Sequence, residues 1–465
     1  MKFPQRIHNR LGDFWWYSLM LFCAGRAADL LNAFVGMWLI PKYVDPSELG
    51  AVMPLTNFAN FLAIPAAVFA NTFRNELTKL SVDKEFGRLK TLMRGVFIAT
   101  AIFLFLAIII ARFTLPIFLE RIRIVEGSLG LLIIISSFVA TIAPVYTNAL
   151  QALKKFRAQS LLSIIGAPVR LIAMLITMPF RALSGYFVGQ AATPAFSIIA
   201  AVFCLKKELL VKAEPYWNRT TFRRFSTLFA LFALGGIIAG FNTLIESTVL
   251  RQRLPDLDSA GFYMASRFSE IAAYLAGAFS ITLFPMAAEL ATRHDERLCL
   301  VSKAMLANLA FCAAIGGVLF LTGRSILALL PHGAEYSAYW WAIPWLIAIT
   351  AIGSIAGLYI TAETGAGRFS WMKWYLPIDL GYPAILLLVT GYGYYAQFLP
   401  PSWASFLNAH NIRSLDTMLW WMTGNNLLKA MLCLIAMRRM ATRRADSRHV
   451  DAVGNRRIKE QNGES

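Results

Sequence analysis

Ionisable side chains lie within long apolar stretches of this sequence, and they recur at helical spacing. Arg26, Asp29 and Asn32 follow one another at intervals of three residues in the first stretch, so on a helix they share one broad face. A charge in the hydrocarbon region costs about 2.5 to 3.5 kcal/mol on insertion scales, so such a group normally faces a cavity or a partner. Cations and carboxylates together in this setting suit an anion-binding site. The cations would hold the anion, and the carboxylates would balance the charge or carry protons.

Later apolar stretches repeat the pattern. Asn57 and Asn60 are again three apart, and Tyr263, Arg267 and Glu270 follow at intervals of four and three. Further polar residues lie in other apolar stretches. Asn242 and Glu246 share one stretch, and Arg170, Asp379 and Lys429 each lie in a separate one.

Each of these residues also has a purely structural interpretation. The pairs Arg26/Asp29 and Arg267/Glu270 are spaced as local ion pairs that help helices pack. Arg170 and Lys429 reach the headgroups by snorkelling if they lie near the ends of their helices. The asparagines and Tyr263 suit interhelical hydrogen bonds as well as contacts with a sugar.

The elements that must position these residues are membrane-spanning helices. Of the 465 residues, 57% are hydrophobic and only 15% are charged, whereas about a quarter of a soluble chain is charged. The apolar runs are roughly 20 to 28 residues long, enough to cross a core of about 30 Å. The sequence therefore predicts an all-α integral membrane protein. Its twelve spans are predicted near 14–41, 48–71, 92–119, 127–152, 159–180, 183–205, 225–250, 259–289, 301–323, 338–362, 372–397 and 417–437.

The formal net charge is +18. The positions of the basic residues indicate contact with a membrane surface rather than with a nucleic acid. Lys and Arg are more than three times as frequent on the side that holds both termini as on the other side, which is the positive-inside pattern. This pattern predicts that both termini are cytoplasmic. Basic residues on that face also contact anionic lipid headgroups, so we expect membrane lipids as partners and no nucleic acid.

A basic segment near mid-chain predicts a division into two halves. Residues 1–205 form a six-helix N-terminal lobe, 206–224 a basic cytoplasmic linker and 225–437 a six-helix C-terminal lobe around a central cavity. The tail, 438–465, is basic and predicted to be disordered.

The two halves repeat one another faintly at an offset of 211 residues. Asp45 aligns with Asp256, Gly50 with Gly261 and Met53 with Met264, at corresponding places in the count of spans. An even number of spans in each half puts the repeats in the same orientation, a layout known in transporters. Chance similarity between apolar helices is the alternative.

The sequence lacks the signature motifs of several classes of protein. No P-loop, GxSxG or HExxH motif is present, so we predict that the chain is not an enzyme and does not use ATP directly. Its five cysteines form no CxxC pair, and we expect no disulfide, metal or other cofactor. The first apolar stretch is too long for a cleavable signal peptide.

Three segments resemble the bacterial polysaccharide flippases. The segment from Ile40 to Gly50 is similar to the turn that opens their second helix. The segment from Ser259 to Tyr263, followed by Phe284 and Pro285, is similar to their seventh-to-eighth helix region, and 361–368 to the loop after their tenth helix. This family shares a superfamily with multidrug and toxic-compound extrusion proteins and lipid II flippases.

The resemblance implies two six-helix lobes that work by alternating access in a bacterial inner membrane. The implied cargo is an oligosaccharide on undecaprenyl pyrophosphate, moved to the periplasmic leaflet for O-antigen, capsule or exopolysaccharide. Polysaccharide polymerase and chain-length proteins are then expected partners. Family members carry cavity arginines on helices one and eight, which implies pyrophosphate contacts for Arg26 and Arg267.

The remaining polar residues receive expected roles from their chemistry. Arg170 and Lys429 are further candidates for the pyrophosphate. Candidates for the glycan are Asn32, Asn57, Asn60, Asn242 and Tyr263. Candidates for ion coupling or charge balance are Asp29, Glu246, Glu270 and Asp379. The alternative function is a cation-coupled multidrug antiporter of the same superfamily, which would favour carboxylates and aromatic residues over arginines.

Overall fold

The computed structural model describes residues 31–124, 127–153, 155–290, 293–390, 412 and 414–461. Every regular element in these ranges is helical, which confirms the predicted all-α fold. The long helices fall on the twelve predicted spans. They are α1 (described from residue 31 to Tyr43), α2 (Val52–Val82), α3 (Phe86–Arg121), α4 (Gly127–Ala152), α5 (Phe156–Thr177), α6 (Ala182–Cys204), α7 (Arg219–Arg253), α8 (Asp256–Glu289), α9 (His294–Ala328), α10 (Ala342–Gly365), α11 (Met372–Thr390) and α12 (Leu415–Gln461).

Among the described residues, seven of these helices are long and apolar enough to cross a membrane: α3, α4, α5, α6, α7, α9 and α10. The other long helices include α2 and α8, which carry several of the polar residues singled out above. Large apolar side chains are also exposed on the helix surfaces, such as Ile102, Phe105 and Phe113 on α3. An exposed apolar face of this kind suits contact with lipid.

The helix α1 widens into a π-helical turn at Val35–Leu39 before it ends at Tyr43. Pro41 explains the change, because a proline ring clashes with the carbonyl four residues earlier and offers no N–H. Here the N–H of Ile40 donates to the carbonyl of Val35 instead. Such π turns are frequent at functional sites.

The described contacts divide the chain into two compact units. The first unit comprises 1–267, 326–338 and 379–415, and in it α2 packs on α3, α4 and α7, while α6 packs on α4 and α5. A cluster of buried apolar residues, among them Leu89, Leu92 and Leu205, forms part of its core.

The second unit comprises 268–325, 339–378 and 416–465. Its core joins α8, α9, α10 and α12 through buried residues such as Ala287, Val301, Leu358 and Cys433. The predicted lobes, divided at 206–224, stay a prediction.

The connection between α6 and α7 is held against α3. Thr91 donates to the carbonyl of Glu214 at 2.6 Å, and the N–H of Glu214 donates to the carbonyl of Gly87 at 3.2 Å. Asn218 then caps α7, with its Oδ1 accepting from the N–H of Thr221 at 2.7 Å.

The last helix extends past its predicted span. α12 continues to Gln461, through most of the basic tail for which the sequence predicted no regular structure. Arginine and alanine are good helix formers, and the tail carries both in number.

Candidate functional site

A polar cavity of about 560 Å³ lies in the first unit, between α1, α4, α5 and α6. Eight of its fourteen lining residues are polar, and the single charged one is Arg170. No carboxylate lines the cavity within the described part of the chain. The polar lining residues are Asn32, Thr147, Gln159, Ser163, Arg170, Gln190, Thr193 and Ser197.

Two prolines add backbone acceptors to this lining. Pro144 lies inside α4 and Pro194 inside α6. A proline within a helix removes the N–H that would bond the carbonyl four residues earlier, and these carbonyls belong to Ala140 and Gln190. All four residues line the cavity, and the two prolines leave the carbonyls of Ala140 and Gln190 without their usual helical donor.

Arg170 and Asn32 meet at the cavity wall. Nη1 of Arg170 donates to Oδ1 of Asn32, which joins α5 to α1. Nε of Arg170 is buried and has no hydrogen-bond acceptor among the described residues. Oε1 of Gln159 in the same lining is likewise buried, with no donor in the described ranges. The guanidinium is thus fixed by one neutral partner and keeps its positive charge for a ligand.

The surrounding hydroxyl and amide groups hold the cavity in one shape. Nε2 of Gln190 lies 2.5 Å from the Tyr186 hydroxyl, which is 3.2 Å from Oγ1 of Thr56. Thr193 donates to the carbonyl of Gly166 at 2.8 Å and so joins α6 to α5. A cavity with one cation, many neutral hydrogen-bonding groups and no carboxylate suits an anionic, hydroxyl-rich ligand.

A second polar cluster joins α7 to α11 within the same unit. Asn242 donates to Oδ1 of Asp379 at 3.2 Å, and the Tyr382 hydroxyl donates to Oε1 of Glu246 at 2.7 Å. Asp379 is only 2% exposed. Oδ1 of Asn242 is buried without a donor in the described residues. We name Asn242, Glu246, Asp379 and Tyr382 the acid cluster.

Arg267 and Tyr263 of α8 pack against the π turn of α1. The Tyr263 hydroxyl donates to the carbonyl of Gly36 at 3.3 Å, and the Arg267 guanidinium carbon lies 4.6 Å from the centre of the Tyr263 ring. A Cβ at Gly36 would stand 2.9 Å from Cδ of Arg267. A side chain at position 36 would therefore displace the Arg267 side chain from its present place against α1.

The other predicted site residues lie elsewhere. Nδ2 of Asn57 donates to the carbonyl of Thr243 and to Oγ of Ser247 on α7. Asn57 therefore forms an interhelical hydrogen bond, the structural alternative to a contact with a sugar. Asn60 is exposed on α2. In the second unit, Glu270 is half-buried on α8. The predicted residues Arg26 and Asp29 lie outside the described residues.

Lys429 of the second unit is buried on α12. Its ammonium group lies 5.2 Å from the centre of the Tyr375 ring. This distance is a cation–π contact, so the charge has a partner within the protein rather than reaching a headgroup.

The structure also has a buried charged cluster that sequence reasoning missed. We call the end of the helices that carries the α1–α2 connection (residues 44–51) the outer end, because the charge pattern predicts that it is periplasmic. There Arg251 is 1% exposed and donates to the carbonyls of Ser47 at 2.7 Å and Ile122 at 3.1 Å. Arg251 and Arg123 each lie 2.8 Å from Oδ1 of Asp256.

This outer cluster joins the end of α3, the end of α7 and the start of α8. Arg123 holds it from a left-handed backbone conformation, with φ of 61°, which costs an L-residue about 1 to 2 kcal/mol. The Arg123 side chain offsets part of that cost through its ion pair with Asp256 and its hydrogen bond to the carbonyl of Gln252. This cluster could not be predicted from the sequence, because Arg251 follows the predicted end of its span and is indistinguishable there from an ordinary loop charge.

Tyr336 lies in a connection outside the membrane-spanning helices, and its side chain is fully buried. Burial raises the pKa of the Tyr336 phenol, and the negative charges of Glu335 and Asp45 raise it further. The phenol is therefore neutral at physiological pH.

A second unexpected ion pair lies in the second unit. Nη2 of Arg297 on α9 lies 2.9 Å from Oε1 of Glu363 on α10, and both side chains are almost completely buried. Removing one member of such a pair is strongly destabilising, so we assign it a structural role. The sequence pattern placed Arg297 among the cytoplasmic loop charges.

Comparison with known proteins finds similarity at the level of the fold. No protein-family model matches the chain, and no curated protein sequence matches it. A structure of the lipid II flippase MurJ superimposes with a TM-score of 0.62 at 15% identity, over 91% of this chain and 87% of that chain. A multidrug resistance MATE family transporter of the MOP superfamily superimposes with a TM-score of 0.61 at 12% identity, over 91% and 98%.

A MOP superfamily transporter from Pyrococcus furiosus gives a TM-score of 0.59 at 12% identity, over 92% of this chain and 94% of that chain. The description of that structure attributes reverse polarity to its binding pocket. The chain has the fold of these membrane transporters. At such low sequence identity, the structural similarity does not identify a substrate for this chain.

Proposed function

We propose that this chain is an alternating-access flippase that moves an oligosaccharide on undecaprenyl pyrophosphate from the cytoplasmic to the periplasmic leaflet. The observation that supports it best is the cavity of the first unit, with its single arginine, its neutral polar lining and its lack of a carboxylate among the described residues. The proposal includes an inner-membrane location, cytoplasmic termini and the export of a surface polysaccharide.

The polar lining reduces the main energetic cost of moving a glycan across the membrane, which is the loss of water around its hydroxyl groups. An unpaired hydroxyl costs about 4 to 8 kcal/mol on transfer from water to cyclohexane. Side chains such as Gln159, Gln190 and Ser197, together with the freed carbonyls of Ala140 and Gln190, replace water around the sugar hydroxyls. The lipid tail meanwhile stays in the bilayer.

The arginines supply the complementary charge for the pyrophosphate. The planar guanidinium matches phosphate oxygens with two parallel donors. Arg170 faces the cavity, and we propose that Arg267, against α1, and Arg26 join it during the transport cycle. An inside-negative potential favours outward movement of an anion by about 2.3 kcal/mol per charge per 100 mV.

The acid cluster is suited to a different task. Asp379 and Glu246 each accept a hydrogen bond from a neutral donor. A proton or a sodium ion arriving there would meet their carboxylate oxygens and Oδ1 of Asn242, which has no donor in the part of the chain that the structure describes. We assign ion coupling to this cluster.

The acid cluster also favours a second candidate, a cation-coupled multidrug antiporter. A buried carboxylate such as Asp379 could exchange a proton for a cationic drug, and MATE transporters share the fold. The charge of the cavity around Arg170 opposes cation binding there, which is why the flippase is our first proposal.

The test is carried out in the host cell. The gene is deleted, the leaflet that holds the undecaprenyl-linked oligosaccharide is measured, and wild type, Arg26→Ala or Arg267→Ala is then restored. We expect the intermediate to accumulate on the cytoplasmic face and only wild type to clear it. Unchanged export without the protein would refute the flippase, and loss of drug resistance in that strain would support the antiporter.

A further inference from the structure

The connection between α6 and α7 is packed closely against α3. Gly87, Thr91 and Gly95 follow at intervals of four residues, so they share one face of α3. Thr91 donates to the carbonyl of Glu214 at 2.6 Å. A Cβ at Gly87 would stand 2.8 Å from Cγ of Glu214, and a Cβ at Gly95 would stand 2.6 Å from Nε1 of Trp217. The connection therefore has one side that is fixed on the protein.

The exposed side of this segment is basic. We call residues 206–223, which include the first turn of α7, the basic strap. Its Glu208 side chain is only 15% exposed and lies 2.8 Å from Nζ of Lys155. Its other carboxylate, Glu214, is exposed, with Oε2 4.0 Å from Nε of Arg88. Five basic side chains of the strap are exposed, with no ion-pair partner in the part of the chain that the structure describes: Lys206, Lys207, Lys212, Arg219 and Arg223.

Large apolar side chains are exposed among these charges. Leu210 is 73% exposed, Phe222 64% and Trp217 37%. The predicted spans on either side end at residue 205 and begin at residue 225, so the strap cannot move far from the membrane surface. Basic segments next to a span attract anionic headgroups, and apolar and tryptophan side chains favour the headgroup boundary. Both kinds of side chain on the strap thus match the membrane beside it.

We propose that the basic strap binds the anionic phospholipids of the leaflet at the inner end, opposite the outer end, which the charge pattern predicts is cytoplasmic. The five cations hold lipid phosphates, and Leu210 and Phe222 enter the edge of the acyl region. An acidic protein would also match the cations, but it would have to displace headgroups that the flanking spans keep beside them. The strap shares no residue with the cavity around Arg170 or with the acid cluster, so the inference does not rest on the proposed cargo.

Lipid bound to the strap also holds the start of α7. Asn218 of the strap caps this helix, and the ring centre of Trp217 lies 5.6 Å from that of Phe225 on α7. Anionic headgroups on one side and α3 on the other therefore restrict the opening of the segment before the cap.

The experiment measures amide hydrogen exchange in the full chain, reconstituted in nanodiscs of phosphatidylcholine alone or mixed with phosphatidylglycerol. Residues 212–218 form no regular structure, so their amides report how firmly the strap is held. With headgroups at about ten times their dissociation constant, exchange there should slow about tenfold. The same exchange rate in both lipids would overturn the proposal.

Salt tests whether charge is responsible. Raising the ionic strength from about 0.1 to about 1 M shortens the screening length from about 10 Å to about 3 Å. We expect the difference between the two lipids to disappear. A difference that persists at high salt would contradict binding through the five cations.

Matched variants separate the charge from the fold. Lys206→Gln, Lys207→Gln and Lys212→Gln in one chain should bring exchange in the mixed lipid to the phosphatidylcholine rate, because each charge near the surface contributes about fivefold to binding. Arginine at the same three positions should retain the protection. The control is Arg253→Gln, an exposed arginine at the outer end of α7, which should change nothing.

Two further outcomes would reject the anionic phospholipid. One is a triple glutamine variant that folds and is protected like wild type. The other is protection that soluble polyglutamate gives in phosphatidylcholine nanodiscs and that phosphatidylglycerol does not give, which would make the strap a docking surface for an acidic protein.

Discussion

The first unit holds two polar sites of opposite character. The cavity around Arg170 offers one cation and neutral groups, whereas the acid cluster on α7 and α11 offers Asp379 and Glu246 with neutral donors. Each site has its own helices, α1, α4, α5 and α6 for the first and α7 and α11 for the second. The two sites therefore lie on separate sets of helices and carry side chains of opposite charge.

This separation suggests a division of labour. On the proposed function, the cavity recognises the charged headgroup of the cargo and the acid cluster handles the ion whose movement drives transport. If so, mutations at the cavity should change affinity, and mutations at the acid cluster should change coupling.

Adding a carboxylate to the cavity should have the largest effect. Gln190→Glu places a carboxylate beside the binding region, and like charges brought together cost several kcal/mol. The Kd for a pyrophosphate-linked sugar in nanodiscs should rise by more than about a hundredfold. Gln190→Met, which removes the hydrogen bond but adds no charge, should raise it far less. Equal effects of the two variants would mean that charge is not what the cavity recognises.

Removing the cavity cation should have the next largest effect. Arg170→Gln loses a hydrogen bond to a charged group, worth about 1.5 to 3 kcal/mol, so Kd should rise about ten- to a hundredfold. The matched control is Arg181→Gln, an exposed arginine that follows α5. If both variants bind like wild type, Arg170 is only a packing residue that holds Asn32.

Neutralising the acid cluster should uncouple transport and leave affinity unchanged. In proteoliposomes, a gradient of one pH unit is worth about 1.4 kcal/mol per proton, or about tenfold in accumulation. Asp379→Asn should lose that acceleration, while the exposed Asp416→Asn retains it. A wild type that responds to sodium rather than to pH identifies the ion, and an unchanged response in Asp379→Asn would exclude this carboxylate from coupling.

The smallest effect is expected at Asn57, which holds α2 to α7 and lies outside both sites. A single interhelical hydrogen bond in a membrane protein is worth about 0.6 kcal/mol. Asn57→Ala should therefore change transport by less than about threefold and lower thermal stability slightly. A tenfold loss of binding would instead give Asn57 a direct contact with the glycan.

The positions of the helices could be predicted because each apolar run is long enough to be a span by itself. The site could be predicted only in part. Asn32 and Arg170 were both singled out, but their pairing depends on how α1 packs on α5. Gln159 and Gln190 were missed because a lone glutamine in an apolar run has no distinctive spacing. The prolines Pro144 and Pro194 are the signal that could have directed attention to that wall.

The buried arginines show a second limit of sequence reasoning. Arg251 and Arg297 lie close to span ends, where charged residues normally face water or headgroups. Their partners Ser47 and Glu363 are distant in sequence, so only the packing of helices reveals them. Local spacing predicts which face a residue shares, but not what another helix brings to that face.

The central claim is that the cavity selects an anionic, lipid-linked sugar over a cation. Wild type should be reconstituted in proteoliposomes under an imposed potential, and the transfer of a fluorescent pyrophosphate-linked oligosaccharide compared with that of a cationic dye. We expect the sugar lipid to cross, the dye to be excluded and Arg170→Gln to slow only the former. Transport of the dye, with the sugar lipid left in its original leaflet, would contradict the account and favour the multidrug antiporter.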